Sequence, residues 1–170
     1  MYGVYAVGFI MMLMAMVFSG AKQDNERIDV QSQVIARQMV LWHNTARTLC
    51  RTSTICNVNG EVNRNTIRNN LPELGRNSPQ YLSGNIRSYS NGTTMITIYF
   101  PEYIGNSTIG PALAAQLIWQ SGDDIMAGIY DRTNQRIGKY NNGLMRINVP
   151  SNIGGLNLPD GISLLGLSLI

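Results

Sequence analysis

Residues 1–21 read MYGVYAVGFIMMLMAMVFSGA, and residues 22–50 continue KQDNERIDVQSQVIARQMVLWHNTARTLC. The first stretch holds no charged side chain, and Lys22 is the first in the chain. A helix that crosses a bilayer needs about 20 mostly apolar residues. Tyr2 and Tyr5 sit near one end, where aromatic belts occur. Two other fates of such a stretch are a cleaved signal peptide and a buried helix. Ser19-Gly20-Ala21 offers small residues for cleavage, but a signal peptide opens with a positive n-region. No Lys or Arg precedes the apolar run here. The preferred reading of residues 1–21 is therefore a transmembrane anchor.

Residues 22–50 predict an amphipathic helix that continues the anchor. Ile28, Ile35, Met39, Trp42, Ala46 and Leu49 recur at helical spacing, with Ser32 filling the gap in the seam. Asp24, Glu26, Arg27, Asp29 and Arg37 cover other faces, and no Gly or Pro interrupts the run. A seam of this kind either lies on its own domain or associates as a short coiled coil. The first is the stronger reading, because Ser32 and Ala46 make a weak coil. Ile35, Met39 and Trp42 are nonetheless candidate partner contacts, and a homo-oligomer through them is the alternative.

From residue 51 the composition changes. Residues 57–80 are rich in Asn, Gly and Pro, which predicts turns and one short helix around Thr66–Leu71. Ile86–Tyr89 and Thr93–Phe100 flank Ser90-Asn91-Gly92, a hairpin signal. Pro111 opens a helix over Ala112–Gln120. Ile125–Tyr130 and Arg136–Tyr140 predict a second hairpin, and Leu144–Val149 a further strand. The tail from Leu164, LLGLSLI, is uncharged. So apolar a segment must be tied into a sheet or a partner. The expected fold class is α+β: a transmembrane helix (1–21) continuing into an amphipathic helix (22–50), then an antiparallel-sheet head with one or two short helices (51–170).

The chain has 170 residues, a net charge of +3 and only 14% charged residues, against roughly 25% in typical soluble domains. Its 44% hydrophobic content excludes global disorder. Three net charges spread thinly leave no footprint for nucleic acid. Eleven of the 13 basic residues are Arg, which favours bidentate contacts at protein interfaces over simple solvation. Cys50 and Cys56 are the only cysteines, six apart. Such a pair closes a small loop most sensibly as a disulfide in an oxidising compartment, which puts the head on the periplasmic or extracellular side.

Catalytic signals are weak. His43 is the single histidine, and a Cys–His nucleophile pair with Cys50 conflicts with the disulfide. Asp123-Asp124 lies in good turn chemistry, Ser-Gly-Asp-Asp. Glu61, Glu73, Glu102, Asp131 and Asp160 are scattered. No phosphate loop, dinucleotide fingerprint, zinc-peptidase helix or nucleophile elbow occurs. Two Cys and one His do not fill a zinc site. The expectation is a non-enzymatic chain without cofactor or metal. Leu113, Ile118 and Trp119 on the short helix, or the tail from Leu164, are further candidate contacts, each more often core. The sequons Asn91-Gly92-Thr93 and Asn106-Ser107-Thr108 are chance matches in an Asn-rich chain.

The plan of membrane helix, amphipathic helix and antiparallel head resembles that of type IV pilins. Gly8-Phe9 resembles the pilin processing site, but no basic leader precedes it. Leu13 stands where pilins carry a Glu. The opening MYGVYAVGFIMMLMAMVFSG, the KQDNERIDVQSQ helix and the Asn-rich head more closely resemble the PilM-type proteins of conjugative-plasmid type IVb (thin) pilus systems. That resemblance covers the length plan and rests on no residue signature. It implies a single-span bacterial inner-membrane protein with its head in the periplasm, held in lipid by residues 1–21. Its partners would be other pilus-assembly proteins.

Overall fold

The computed structural model describes residues 2–56, 59–73, 75–92, 94–100, 109–121, 127–131, 133, 136–138, 145–148, 152–153, 156–157 and 163–169. Side chains are described from residue 26 on, except at 109, 136, 138, 145–148, 152, 156 and 163–169. The fold is α+β. Helix α1, Tyr2–Thr52, is one element of 51 residues, about 75 Å at 1.5 Å per residue. It carries straight through the expected boundary at 21/22. Thr52 and Ser53 hydroxyls close its end on the carbonyls of Thr48 and Leu49, and a short 3₁₀ turn, Thr54–Cys56, follows.

Among the described residues nine strands follow α1, with three more α-helices among them. They are β1 (Asn59–Glu61), α2 (Arg64–Asn69), α3 (Pro79–Ser83), β2 (Ile86–Asn91), β3 (Thr94–Tyr99), α4 (Ile109–Ser121), β4 (Ala127–Asp131) and β5 (Arg136–Gly138). β6 (Met145–Asn148), β7 (Asn152–Ile153), β8 (Leu156–Asn157) and β9 (Ser163–Leu169) complete the chain. Seven strands form one antiparallel sheet in the order β1-β2-β3-β9-β4-β5-β6, and β7-β8 form a small ribbon. β9 pairs with β3 (Thr94 opposite Leu169) and with β4 (Ala127 opposite Leu165). The apolar tail is thus the strand that joins the two halves of the sheet.

Local chemistry explains the element ends. Asn63 caps α2 through its side chain, which accepts from Thr66 N at 3.2 Å. The helix therefore starts two residues before the position expected from its apolar pattern. α3 was not expected; it opens on Ser78-Pro79 and closes on Gly84 at φ 76°, the left-handed C-cap that glycine adopts without strain. Between β2 and β3, Gly92 takes φ 89°. The Asn91 side chain accepts from Thr94 N, and Ser90 Oγ accepts from Gly92 N. Pro111 lies in the first turn of α4, where no helical donor is lost. The expected strand positions 125–126, 139–140, 144 and 149, and Asp123-Asp124, lie outside the described residues.

Strand alternation sorts two cores. Ile86, Met95, Tyr99 and Ala127 face the helices α1 and α4 and pack with Ile35, Ala36, Met39, Trp42, Ala46, Leu113 and Leu117. Tyr89, Ile96, Ile98, Tyr130 and Ile137 lie on the opposite face and are joined by Ile153 from the ribbon. Successive residues along a strand point to opposite faces, so the Met95–Ile98 run divides between the two. α1 packs on β2, β3 and β9, α4 on β4 and β9, and the helices touch each other. Gln120 Nε2 donates to Gln33 O at 3.2 Å where they meet.

The inner seam of α1 corrects one expectation. Ile35, Met39 and Trp42 are not partner contacts: all three are buried in the chain's own core. Leu113 is buried as well, whereas Trp119 is 78% exposed. Apolar residues at spacings of three and four satisfy themselves first on the nearest sheet, and here β2 and β3 supply it. The two tryptophans therefore predict opposite outcomes. Trp42→Ala should lower unfolding stability by about 4 kcal/mol, the usual cost of emptying a buried aromatic site. Trp119→Ala should change it by less than about 0.5 kcal/mol. Urea midpoints of the full chain in detergent check both.

Candidate functional site

The joint between α1 and the β2–β3 hairpin is polar at its centre. Ser88, Ser90 and Thr97 project toward the helices and are completely buried. Trp42 Nε1 donates to Ser88 Oγ at 3.1 Å. Ser88 Oγ and Thr97 Oγ1 are 2.9 Å apart, and Thr97 Oγ1 lies 2.9 Å from His43 Nδ1. An indole N–H only donates. One arrangement then gives every proton an acceptor along the chain: Ser88 donates to Thr97, and Thr97 donates to a neutral His43 at Nδ1. Ser90 Oγ donates to Cys56 O at 2.8 Å, tying the same strand to the turn after α1.

His43 is buried, and burial, with the Arg47 guanidinium one turn on as a lesser cause, lowers its pKa to about 4. It stays neutral at ordinary pH. Beside it, Tyr81 stacks on Trp42 with ring centroids 5.0 Å apart. Its hydroxyl donates to Gln38 O at 2.8 Å, and burial pushes its pKa up to about 12. These groups lock the helix to the sheet. The hydrogen-bond partner of the His43 side chain is Thr97, itself in the chain of hydroxyls. Among the described residues no three His, Cys, Asp or Glu side chains gather as a metal site would require.

Cys50 and Cys56 form a disulfide, with Cα atoms 5.2 Å apart, within the range such bonds need. The bond staples the end of α1 to the turn that redirects the chain into the sheet. Cys50 Sγ also lies 3.5 Å from Met95 Sδ. On the surface, Glu61 pairs with Arg64 at 3.1 Å and with Arg87 at 3.8 Å. Arg87 also sits over the Phe100 ring at 5.5 Å. These groups are partly exposed and serve the β1–β2 edge.

Exposed apolar side chains lie elsewhere. Val30, Val34 and Leu41 are exposed on α1, and Trp119 on α4. Of the sequence candidates whose side chains are described, Trp119 is exposed and Ile118 partly so, whereas the side chains of the tail from Leu164 lie outside the described set. The α1 stripe escaped the sequence reading because the inner seam absorbed the helical periodicity. Its signal was present all the same, as Val30, Val34, Arg37 and Leu41 recur at spacings of four, three and four. Among the described residues no helix is long and apolar enough to cross a membrane. The side chains of residues 1–21, where the anchor was expected, lie outside that set.

The chain matches no family model, no curated protein and no solved structure.

The buried histidine makes stability depend on acid. The unfolded chain binds a proton at His43 near pH 6.5, and the folded chain resists it down to about 4. The contribution is complete above 6.5 and disappears as pH falls through that window, about 3 kcal/mol in all. His43→Gln, measured by urea midpoints at pH 7, 5.5 and 4, should flatten this part of the pH dependence.

Proposed function

We propose that this chain is a membrane-anchored, non-enzymatic structural or assembly component of a type IVb pilus or related secretion apparatus, acting through protein contacts. The observation that carries the reading is the single helix Tyr2–Thr52. Its first part coincides with the uncharged stretch 1–21, and its second part is the spine on which the head is built. A head fixed to an anchor without a flexible linker transmits position and force between lipid and its neighbours. The disulfide at the end of α1 supports a head in an oxidising space such as the periplasm. The buried, neutral His43 supports a structural rather than a catalytic role for the one histidine.

A second reading is a minor pilin incorporated into the fibre. A long helix half covered by an antiparallel sheet is the arrangement that favours it, together with Gly8-Phe9 in the apolar stretch. An anchored periplasmic hydrolase is a weaker third, since among the described residues no acid–base pair supports it.

Intact mass of the native protein from membranes, with thiol alkylation before reduction, separates these readings. The anchored component is expected at full length with no alkylated thiol. A mature chain beginning at Phe9 would favour the minor pilin. One beginning at Lys22 would overturn the anchor, and two alkylated thiols would remove the support for an oxidising compartment.

A further inference from the structure

Two donors one turn apart on α1 have no acceptor, and they stand at the end of the buried hydroxyl chain. His43 is 7% exposed. Its Nδ1 accepts from Thr97 at 2.9 Å, so the neutral ring carries its proton on Nε2. Nε2 has no hydrogen-bond partner among the described residues, and it is not enclosed. This N–H therefore opens outward.

Arg47 follows four residues later, where side chains of a helix are neighbours, and its charge is felt at His43. The residue is half-buried, with Nε enclosed and without an acceptor. Among the described residues Arg47 joins neither ion pair, and Nη1 and Nη2 are not enclosed. A guanidinium stays charged. Drawing it partly out of water without an acceptor costs free energy, and such an orphan calls for an explanation. The helix dipole accounts for Arg51, which lies in the last turn of α1, but it fades before Arg47.

The elements packed on this half of α1 supply no counter-charge. α2, β3, β9 and α4 hold no acidic residue, and β2 brings Arg87, which pairs with Glu61. The titratable groups turned toward the helix from outside it are the buried phenols of Tyr81 and Tyr99. On α1 itself Asp29 and Glu26 precede His43 by 14 and 17 residues, so the nearer is about 21 Å away along the axis.

We propose that His43 Nε2 and the Arg47 guanidinium together form a binding site for a carboxylate, one oxygen accepting from the imidazole N–H and the other from the guanidinium. One fixed positive charge beside a neutral donor matches a monoanion with two oxygens. A phosphate dianion would leave a charge unmet. Thr97, Ser88 and Trp42 fix the ring from behind, so the donors are oriented before the ligand arrives. A carboxylate here also favours the protonated ring, and occupancy and protonation of His43 then reinforce each other. The site stands independently of whether residues 1–21 span lipid.

The chain has a single histidine, which gives one unambiguous ring signal in nuclear magnetic resonance. The full chain in non-ionic detergent, with histidine and arginine labelled with nitrogen-15, is titrated at pH 7 with sodium trifluoroacetate and separately with the peptide acetyl-Glu-Glu-Glu-amide. Sodium chloride is adjusted to hold ionic strength constant. Trifluoroacetate stays ionised through the acid range. Both probes should shift the His43 Nε2 and Arg47 signals and saturate. In saturating trifluoroacetate the titration midpoint of His43 should rise from about 4 to about 5. Arg47→Gln should weaken binding about tenfold, the worth of one charge-assisted hydrogen bond. Arg47→Lys should weaken it less, which separates loss of charge from loss of fold, and Arg64→Gln should leave it unchanged. Tighter binding of the peptide per carboxylate would assign the ligand to a protein side chain, and equal binding to a small free acid; both sustain the site. No shift, the same shift with sodium chloride alone, or displacement by equimolar inorganic phosphate would overturn it. So would a midpoint near 5 in the free chain that Glu102→Gln returns to about 4, because the chain's own carboxylate would then fill the site.

Discussion

Everything in the head depends on how the second half of α1 is seated on the β2–β3 hairpin. The contact surrounds a polar line with an apolar ring. Trp42, Met39 and Ala46 supply the apolar burial, while Ser88 accepts from the indole and Thr97 donates to the imidazole that the same helix face brings with it. A buried indole N–H without an acceptor would cost more than its hydrogen bond contributes. Each hydroxyl thus fixes rotation and register at once, because a one-residue slip of either strand would turn Ser88 or Thr97 to the opposite face. The neutral state of His43 belongs to the same solution. A proton at Nδ1 would make it a donor and reverse the chain of hydroxyl bonds.

Much of this was legible in the residues. The spacing from Ile28 to Leu49 located the helix and its inner face, Asn91-Gly92 located the hairpin, and the isolated pair of cysteines foretold their bond. The uncharged tail had to be tied into a sheet or a partner, and residues 163–169 are strand β9 of the sheet. Other features depended on distance in space. No local pattern says that residues 163–169 enter between β3 and β4, because strand order is decided by contacts far apart in the chain. The seam was also read as a possible partner surface. The periodicity of a helix shows that a face will be covered and leaves open by what. α3 had its signals, Ser78-Pro79 before and Gly84 after, but five residues give helical periodicity too little length to register.

The candidate site shows the same division. Trp119 was visible as a large apolar residue on a helix without charge, and its exposure follows from its place opposite Leu117. The stripe of Val30, Val34 and Leu41 was present in the spacing but hidden behind the stronger inner seam. A helix with two apolar stripes is ambiguous until one of them is occupied. Here the sheet takes the stripe that carries Trp42 and leaves the one that carries Arg37.

The central place of β9 has a consequence in time. Until residues 163–169 arrive, β1-β2-β3 and β4-β5-β6 are two separate ribbons, and β3 and β4 each present an unpaired edge. Closure joins segments about 70 residues apart along the chain, the kind of long-range pairing that forms slowly. In vectorial synthesis α1 and the first hairpin emerge early, whereas the strand that seals them comes last. During that interval the open edges are exposed to strand addition from neighbouring chains. The nascent head is therefore most vulnerable to aggregation while its other strands are made and β9 is not yet in place, and a chaperone guarding it would have to shield strand edges rather than the helix.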